Sequence, residues 1–147
     1  MISHLEPRRS NAWIAGHDPL TVVALGDPVI DKLGHKVGSV YVETYWLPIL
    51  GPSAIWAARR LVDWLDENDS VDIPLDALGR SLGLGGGVAN NSPVVRTLAR
   101  LVDFGMAATG GSTYAIRRRF PPLPTRLVDR LPSYLAESHR CELEAAR

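Results

Sequence analysis

Hydrophobic positions recur along the middle third of the chain with the period of a helix. Residues 51–68 place alanine, leucine and valine side chains on one face and charged side chains on the other, which predicts an amphipathic helix. A shorter pattern over residues 75–83 predicts a second helix, which Gly83 ends in the left-handed conformation. Residues 39–50 suit either a helix or a strand, and the spacing of their aromatic side chains favours the helix.

A third helix is predicted over residues 93–104, directly after a glycine-rich loop. Ser92 is a favourable N-cap, and Pro93 is a favourable first helical residue. Five aliphatic side chains cluster on one face of this helix, and Arg96 and Arg100 lie four residues apart on the opposite face. The pattern therefore indicates a helix that buries an apolar face and presents arginines to solvent.

Several short runs have the composition of strands. Residues 20–25 are apolar and β-prone, and residues 71–73 are a short strand candidate after the first helix. Two more runs, 106–109 and 112–119, flank a Gly-Gly pair, which is typical of a hairpin turn. The predicted order is helix, strand, helix, basic helix and hairpin.

Alternation along the second run of this hairpin assigns its side chains to two faces. Tyr114 and Ile116 occupy alternate positions, so both are expected to face the core. Arg117 and Arg119 are then expected to point outward, with Arg118 nearer the body of the domain.

Composition changes at both ends of this central region. Residues 1–18 are polar and aperiodic, which is typical of an arm, and residues 26–38 are rich in Gly, Pro and Asp, which is typical of loops. Two helical pieces, separated by Pro132, follow the hairpin. The predicted organisation is an N-terminal arm with loops at 1–38, a central domain at 39–120 and a C-terminal helical extension at 121–147.

The overall composition is that of one folded domain. The chain has 147 residues, of which 46% are hydrophobic and 22% charged, enough to bury a core. It shows neither a membrane-spanning run nor a secretory leader, and its single cysteine excludes an internal disulfide. We therefore expect a cytoplasmic protein with no membrane partner.

The formal net charge of zero hides a segregation of charge along the chain. Residues 1–76 carry 6 basic and 11 acidic side chains, residues 77–130 carry 8 arginines and 2 aspartates, and residues 131–147 carry 2 basic and 3 acidic side chains. Arginine is the side chain that best matches phosphate and guanine edges, so the middle block favours a nucleic-acid partner. A solvated face with scattered local ion pairs would have the same composition.

The glycine-rich segment at residues 83–87 precedes a helix, as phosphate-binding loops do, but it lacks their chemistry. A P-loop needs a lysine after its last glycine, and Lys32 and Lys36 are far away in the sequence. A dinucleotide-binding loop needs a third glycine where Val88 stands. The histidines have no metal-ligand spacing, and the acidic cluster at 63–72 is typical of a solvated rim. No enzymatic activity, cofactor or metal site is predicted.

The order of elements in residues 51–119 resembles that of winged helix-turn-helix DNA-binding domains. The resemblance implies an α+β fold, mainly helical with a small β-wing, in which residues 93–104 form the recognition helix and the hairpin at 106–119 forms the wing. It also implies double-stranded DNA as the partner, with base edges at the start of the helix and phosphates at the wing. The residues implied in DNA binding are Asn90, Asn91, Arg96, Thr97, Arg100, Arg117 and Arg119.

A second resemblance involves the stretch YWLPILGPSAIWAARRL, residues 45–61. It is similar to the opening of the winged-helix domain in DnaD-type primosomal and replication-initiation proteins. The matching residues are Pro48, Leu50, Gly51, Pro52 and Ala54, whereas positions 56–58 depart from the family's pattern. This resemblance implies the same fold for the region.

Two functions are open at this point. The first is a sequence-specific DNA-binding protein, either a transcriptional regulator or a replication or mobile-element accessory factor; a homodimer would suit a palindromic site, although nothing in the sequence demands one. The second is a winged-helix adaptor that binds proteins and not DNA. Trp56 falls on the polar side of its helix and needs a cover, which either residues 20–47 or a partner would provide.

Overall fold

The computed structural model describes residues 6–145, in which helices pack with two small sheets. The helices are α1 (Glu6–Ala15), α2 (Pro28–Leu33), α3 (Leu47–Leu50), α4 (Pro52–Leu65), α5 (Leu75–Ser81), α6 (Pro93–Asp103), α7 (Thr125–Val128) and α8 (Ser133–Ala145), and a π-helical turn (Val42–Trp46) precedes α3. The strands are β1 (Leu20–Leu25), β2 (His35–Lys36), β3 (Ser70–Ile73), β4 (Ala107–Gly110), β5 (Thr113–Arg117) and β6 (Arg119–Phe120). The described chain is therefore an α+β protein.

Four strands form a mixed sheet in the order β3–β1–β5–β4. The central strand β1 pairs antiparallel with β3 and parallel with β5, so that Thr21 lies opposite both Asp72 and Thr113. Strands β4 and β5 form the expected antiparallel hairpin. Strand β1 thus separates β3 from the hairpin, and β2 and β6 make a separate two-stranded sheet.

Most of the predicted elements occur where the sequence patterns place them. Helices α4, α5 and α6 correspond to the three predicted helices, and residues 39–50 are largely helical, as their aromatic spacing favoured. Gly83 has a φ of +74°, consistent with its predicted role after α5. Ser92 occupies the N-cap position of α6, but its hydroxyl donates to the carbonyl of Ala89 and does not cap the helix.

The N-terminal region differs from the predicted arm. Residues 6–15 form α1, which packs against α6 and buries Ile14 completely. The side-chain amide of Asn11 donates to the carbonyl oxygen of Asn90 at 2.9 Å, which joins α1 to the loop before α6. Few large apolar side chains are present in this segment, and this is why its periodicity did not predict a helix. The rest of the predicted arm before residue 6 lies outside the described residues.

The core joins α6 to α4, α5 and the sheet. Val94, Val95, Leu98 and Leu101 of α6 are buried, as the apolar face of this helix predicted. Tyr114 on β5 is also buried, and its hydroxyl donates to the carbonyl of Leu98 at 2.8 Å. Burial raises the pKa of the Tyr114 hydroxyl well above its usual value, so the hydroxyl stays a donor at all ordinary pH values.

A cluster of tyrosine and histidine side chains joins the C-terminal helix α8 to the body of the protein. His139 of α8 is 2% exposed, and its Nε2 lies 2.7 Å from the hydroxyl of Tyr41. The backbone N–H of Leu123 donates to the same hydroxyl at 2.8 Å. Because the Tyr41 oxygen already accepts from Leu123, the Tyr41 O–H is left to pair with Nε2 of His139. His35 stacks on the Tyr41 ring with 3.7 Å between the ring centroids.

The cluster predicts a pH dependence of stability. Burial lowers the pKa of His35 below its ordinary value of 6.5; Glu142 opposes this shift, and Arg119 and His139 add to it. Between the folded pKa and about 6.5, the unfolded chain binds more protons than the folded one, so the free energy of unfolding falls as the pH drops through this window. His35→Phe should lose less stability than the parent between pH 7 and 5 in urea denaturation. An NMR titration midpoint of His35 at or above 6.5 would contradict this expectation.

The α5–α6 connection predicts a second effect on stability. A Cβ added at Gly79 would lie 2.6 Å from the carbonyl oxygen of Gly85 and 3.2 Å from the Cβ of Val94, so the loop would have to move. We expect Gly79→Ala to lower the free energy of unfolding by about 1–3 kcal/mol. Gly26→Ala is the control, because a Cβ there meets nothing within 4 Å. Equal stability of the two variants in urea denaturation would show that the close approach has no energetic role.

Candidate nucleic-acid interface

Three of the four arginines predicted to contact DNA fall into two groups near opposite ends of α4. Arg96 and Arg100 line a groove together with Ser53, near the start of that helix. Arg119 lines a separate cavity together with Asp63, near its end. The helical rise places Ser53 and Asp63 about 15 Å apart along the axis. These three arginines are therefore divided between two depressions of the surface, and Arg117 lines neither.

The first depression, which we term the α6 groove, lies between α6 and the α3–α4 junction and has a volume of about 620 Å³. Its charged lining residues are Arg96, Arg100 and Asp103. Its lining also contains the apolar residues Leu50, Pro52, Ala54, Leu84, Pro93 and Ala99. Arg96 is exposed in the first turns of α6, and its guanidinium makes no ion pair or hydrogen bond within residues 6–145. All of its donor groups are available to a ligand.

Arg100 has a structural role in the same groove. Its Nε donates to the carbonyl of Leu50 at 2.8 Å, and its Nη2 donates to the carbonyl of Ile49 at 2.7 Å. These carbonyls lie at the end of α3, where helical partners are lacking, and a cation is favourable there. Gly51 forms the α3–α4 junction with a φ of +87°, a conformation that favours glycine. Arg100 thus fixes α6 to this junction, although the residue is exposed and lines the groove.

The other residues predicted on or before α6 differ in their accessibility. Asn90 and Asn91 are exposed in the loop before the helix, with the carbonyl of Asn90 bonded to α1. Thr97 also lines the groove but is only 8% exposed. Little of the Thr97 side chain is therefore exposed at the surface of the groove.

Arg117 does not point into solvent as predicted. Its Nη1 forms an ion pair with Asp27 at 2.8 Å, and its Nε donates to the carbonyl of Gly105 at 2.8 Å. The hydrogen bond from Arg117 lowers the pKa of Asp27 below its usual value, and a smaller contribution comes from the hydrogen bond of the Ile30 backbone. Arg117 therefore links the base of the hairpin to the start of α2.

Arg119 is also engaged within the fold. Its Nη1 donates to the carbonyl of Gly34 at 3.1 Å, and the side chain is half-buried. Arg118, which was expected nearer the body of the domain, has the more open side chain, at 43% exposure. The predicted orientations of Arg117 and Arg119 were wrong because the α2 region folds over the base of the hairpin.

Trp56 lies beside the α6 groove. It lines a third depression, of about 290 Å³, together with Arg60 and Leu82. The α6 groove and this third depression are both lined by Pro52 and Ser53 at the start of α4, so they are neighbours across that helix end. Helical spacing predicted that Trp56 lies on the polar face of its helix, but it did not predict that Trp56 lies next to the α6 groove.

The intramolecular cover proposed for Trp56 is absent from the described residues. The side chain is 53% exposed, and residues 20–47 do not enclose it. The guanidinium carbon of Arg59 lies 4.6 Å from the ring centroid, so a cation covers part of the indole.

Comparison with known proteins identifies no family for the chain: no protein-family model matches the sequence, and neither a curated protein nor a solved structure matches it. The winged helix-turn-helix resemblance therefore stays a prediction based on the order of elements. No helix among residues 6–145 is long and apolar enough to cross a membrane.

Substitutions of the two arginines of α6 should differ in their effect on stability. Arg100→Ala removes two charge-assisted hydrogen bonds and leaves the carbonyls of α3 without partners, so we expect a loss of about 1–2 kcal/mol in the free energy of unfolding. Arg96→Ala is the matched control on the same exposed stripe, and we expect a change within about 0.5 kcal/mol. Urea denaturation followed by circular dichroism measures both. Equal changes in the free energy of unfolding for the two substitutions would contradict the structural role of Arg100.

Proposed function

We propose that this protein binds double-stranded DNA through the α6 groove and the adjoining start of α4, in a winged helix-turn-helix arrangement. The observation that carries the proposal is the state of Arg96, which is exposed early in α6 and has no partner among the described residues. A guanidinium has a fork of donors that matches the acceptors of guanine and the oxygens of phosphate. An exposed arginine free of internal contacts is available for that role.

The order of elements supports the helix-turn-helix interpretation. Helices α5 and α6 follow α4 and β3, and the hairpin of β4 and β5 follows α6. Recognition helices of this class direct their N-terminal residues at base edges in the major groove. Arg96 and the exposed side chain of Asn91 occupy that end of α6.

The charges around the groove support an anionic partner. Arg60, Arg96 and Arg100 are the basic residues that line the two neighbouring depressions, and Asp103 is the acidic one. We assign the base contact to Arg96 and a phosphate contact to Arg60. Arg100 would hold the α3–α4 junction in position and contact phosphate with its remaining N–H groups.

The hairpin has no part in the proposed interface. Its turn consists of glycine and serine at positions 110–112, which carry no charge. The arginines at its base are bound to the α2 region, as described above. We therefore assign DNA binding to α6 and α4 and not to Arg117 or Arg119.

The proposal predicts distinct effects of two substitutions on DNA binding. Arg96→Ala should weaken binding to a selected duplex by about 1–3 kcal/mol, because a base contact is lost. Arg60→Ala should weaken binding to all duplexes and lower the slope of log K against log salt by about 1. Fluorescence anisotropy across a salt series measures both effects.

The control for these variants is Arg126→Ala, because Arg126 is an exposed arginine on α7 outside both depressions. Its affinity and salt slope should equal those of the parent. If folded Arg96→Ala binds the selected duplex as tightly as the parent, α6 does not read DNA and the proposal fails.

A protein-binding adaptor is the second candidate function, and Trp56 is the observation that favours it. Tryptophan and arginine dominate the energetic centres of protein interfaces, and Trp56 is half-exposed beside Arg60. A parent protein that binds no duplex even at about 50 mM salt, where phosphate contacts are strong, would favour the adaptor.

A further inference from the structure

A second group of basic side chains lies away from the α6 groove. Lys36, Arg59, Arg118 and Arg119 line a cavity of about 580 Å³, which we term the basic cavity. These residues come from β2, α4 and the segment around β6, so the tertiary fold brings them together. The volume lies in the range of small-molecule sites.

Several of these cations are held in place before any ligand arrives. Arg59 forms an ion pair with Glu43 at 2.9 Å. Its guanidinium also packs over Gly38, where an added Cβ would lie 3.5 Å from Nη2 of Arg59. Arg118 and Arg119 each donate to a backbone carbonyl at 3.1 Å. Lys36, in contrast, is exposed and makes no ion pair or side-chain hydrogen bond within residues 6–145. The cavity therefore combines fixed guanidinium groups with an available ammonium group.

Two carboxylates line the same cavity and restrict the ligands that fit it. Asp63 and Asp66 lie on α4, and Asp66 Oδ1 is 3.9 Å from Nη1 of Arg118, the limit of an ion pair. Four cations and two carboxylates leave the lining with a formal excess of two positive charges. Cations match a phosphate, whereas carboxylates accept hydrogen bonds from hydroxyl groups. A ligand with both groups would satisfy the whole lining.

We propose that the basic cavity binds a phosphate monoester on a hydroxyl-bearing carbon skeleton, the chemistry shared by sugar phosphates and mononucleotides. The phosphate would lie against Lys36, Arg118 and Arg119, and the hydroxyl groups would donate to Asp63 and Asp66. The lining residues of this site are different from those of the α6 groove and of the depression at Trp56.

Isothermal titration calorimetry of the full chain with four probes tests the proposal. Ribose 5-phosphate and adenosine 5′-monophosphate separate the two sources of the ligand chemistry, and inorganic phosphate and ribose test its two parts. We expect at least one ester to bind about tenfold more tightly than inorganic phosphate, with no detectable binding of ribose. Equal affinities of both esters and inorganic phosphate, or no binding of either ester, would overturn the proposal.

Variants locate the binding in the cavity. Lys36→Ala should weaken ester binding by about tenfold, since it removes one charge-assisted contact and no internal one. Asp63→Asn should reduce the preference for the ester over inorganic phosphate. Lys32→Ala is the matched control, because Lys32 is an exposed lysine on the neighbouring α2 outside the cavity. Ester binding that Lys36→Ala leaves unchanged would overturn the proposal.

A DNA titration separates this proposal from the proposed function. Lys36→Ala should bind duplex DNA like the parent, whereas Arg96→Ala should bind ribose 5-phosphate or adenosine 5′-monophosphate like the parent. A loss of duplex binding in Lys36→Ala would make the cavity a contact for DNA phosphates and overturn the small-molecule assignment. Failure of duplex binding in the parent leaves the ester titrations interpretable, because they do not involve DNA.

Discussion

Helix α6 packs against α1, α4, α5 and β4, and this packing determines which of its side chains are exposed to a ligand. Six of its eleven residues are buried, and its exposed stripe is narrow: Pro93, Arg96, Arg100 and Asp103. The hydroxyl of Tyr114 fixes the hairpin to the same helix from inside the core. Because Arg100 is bound to the end of α3, Arg96 is the arginine of α6 whose guanidinium has no hydrogen-bond or ion-pair partner among residues 6–145. The proposed function depends on this difference between two neighbouring arginines.

The three-dimensional arrangement cancels part of the charge segregation of the sequence. The acidic first half of the chain supplies Asp27 to Arg117 and Asp66 to Arg118, both in the basic middle block. The local ion pairs that the composition allowed are therefore present at these two arginines. Arg118 forms its ion pair within the basic cavity, whereas Arg96 lines the α6 groove without an ion pair among the described residues. The positions of the arginines in the sequence did not predict which of them form ion pairs.

Local periodicity was sufficient to predict the elements whose patterns lie within one segment. Helices α4 and α6 bury the faces that their apolar spacing indicates, and the Gly-Gly pair lies at the turn of the hairpin. Periodicity did not predict α1, because that helix is held by its packing on α6 and by the bond from Asn11 to Asn90. It also did not predict the position of β1, because pairing between residues about ninety positions apart leaves no local pattern.

The candidate site was predicted less completely than the fold. The predicted exposure of Arg96 and Arg100 on α6 was correct. The hydrogen bonds from Arg100 to Ile49 and Leu50 were not predicted, because they depend on where α3 ends in space. The alternation of β5 gave correct inward positions for Tyr114 and Ile116. It gave wrong outward positions for the hairpin arginines, because a long guanidinium side chain can reach carbonyl and carboxylate groups of any segment that folds nearby.

Hydrogen–deuterium exchange with and without a duplex at low salt tests the central claim, because it locates the interface along the chain. The account predicts that DNA slows amide exchange at the start of α4, in the loop before α6 and in the first turns of α6. Exchange in β5 and β6 should be unchanged. Protection confined to residues 117–120, or no protection anywhere in a protein that binds the duplex, would contradict the claim that α6 and the start of α4 form the interface.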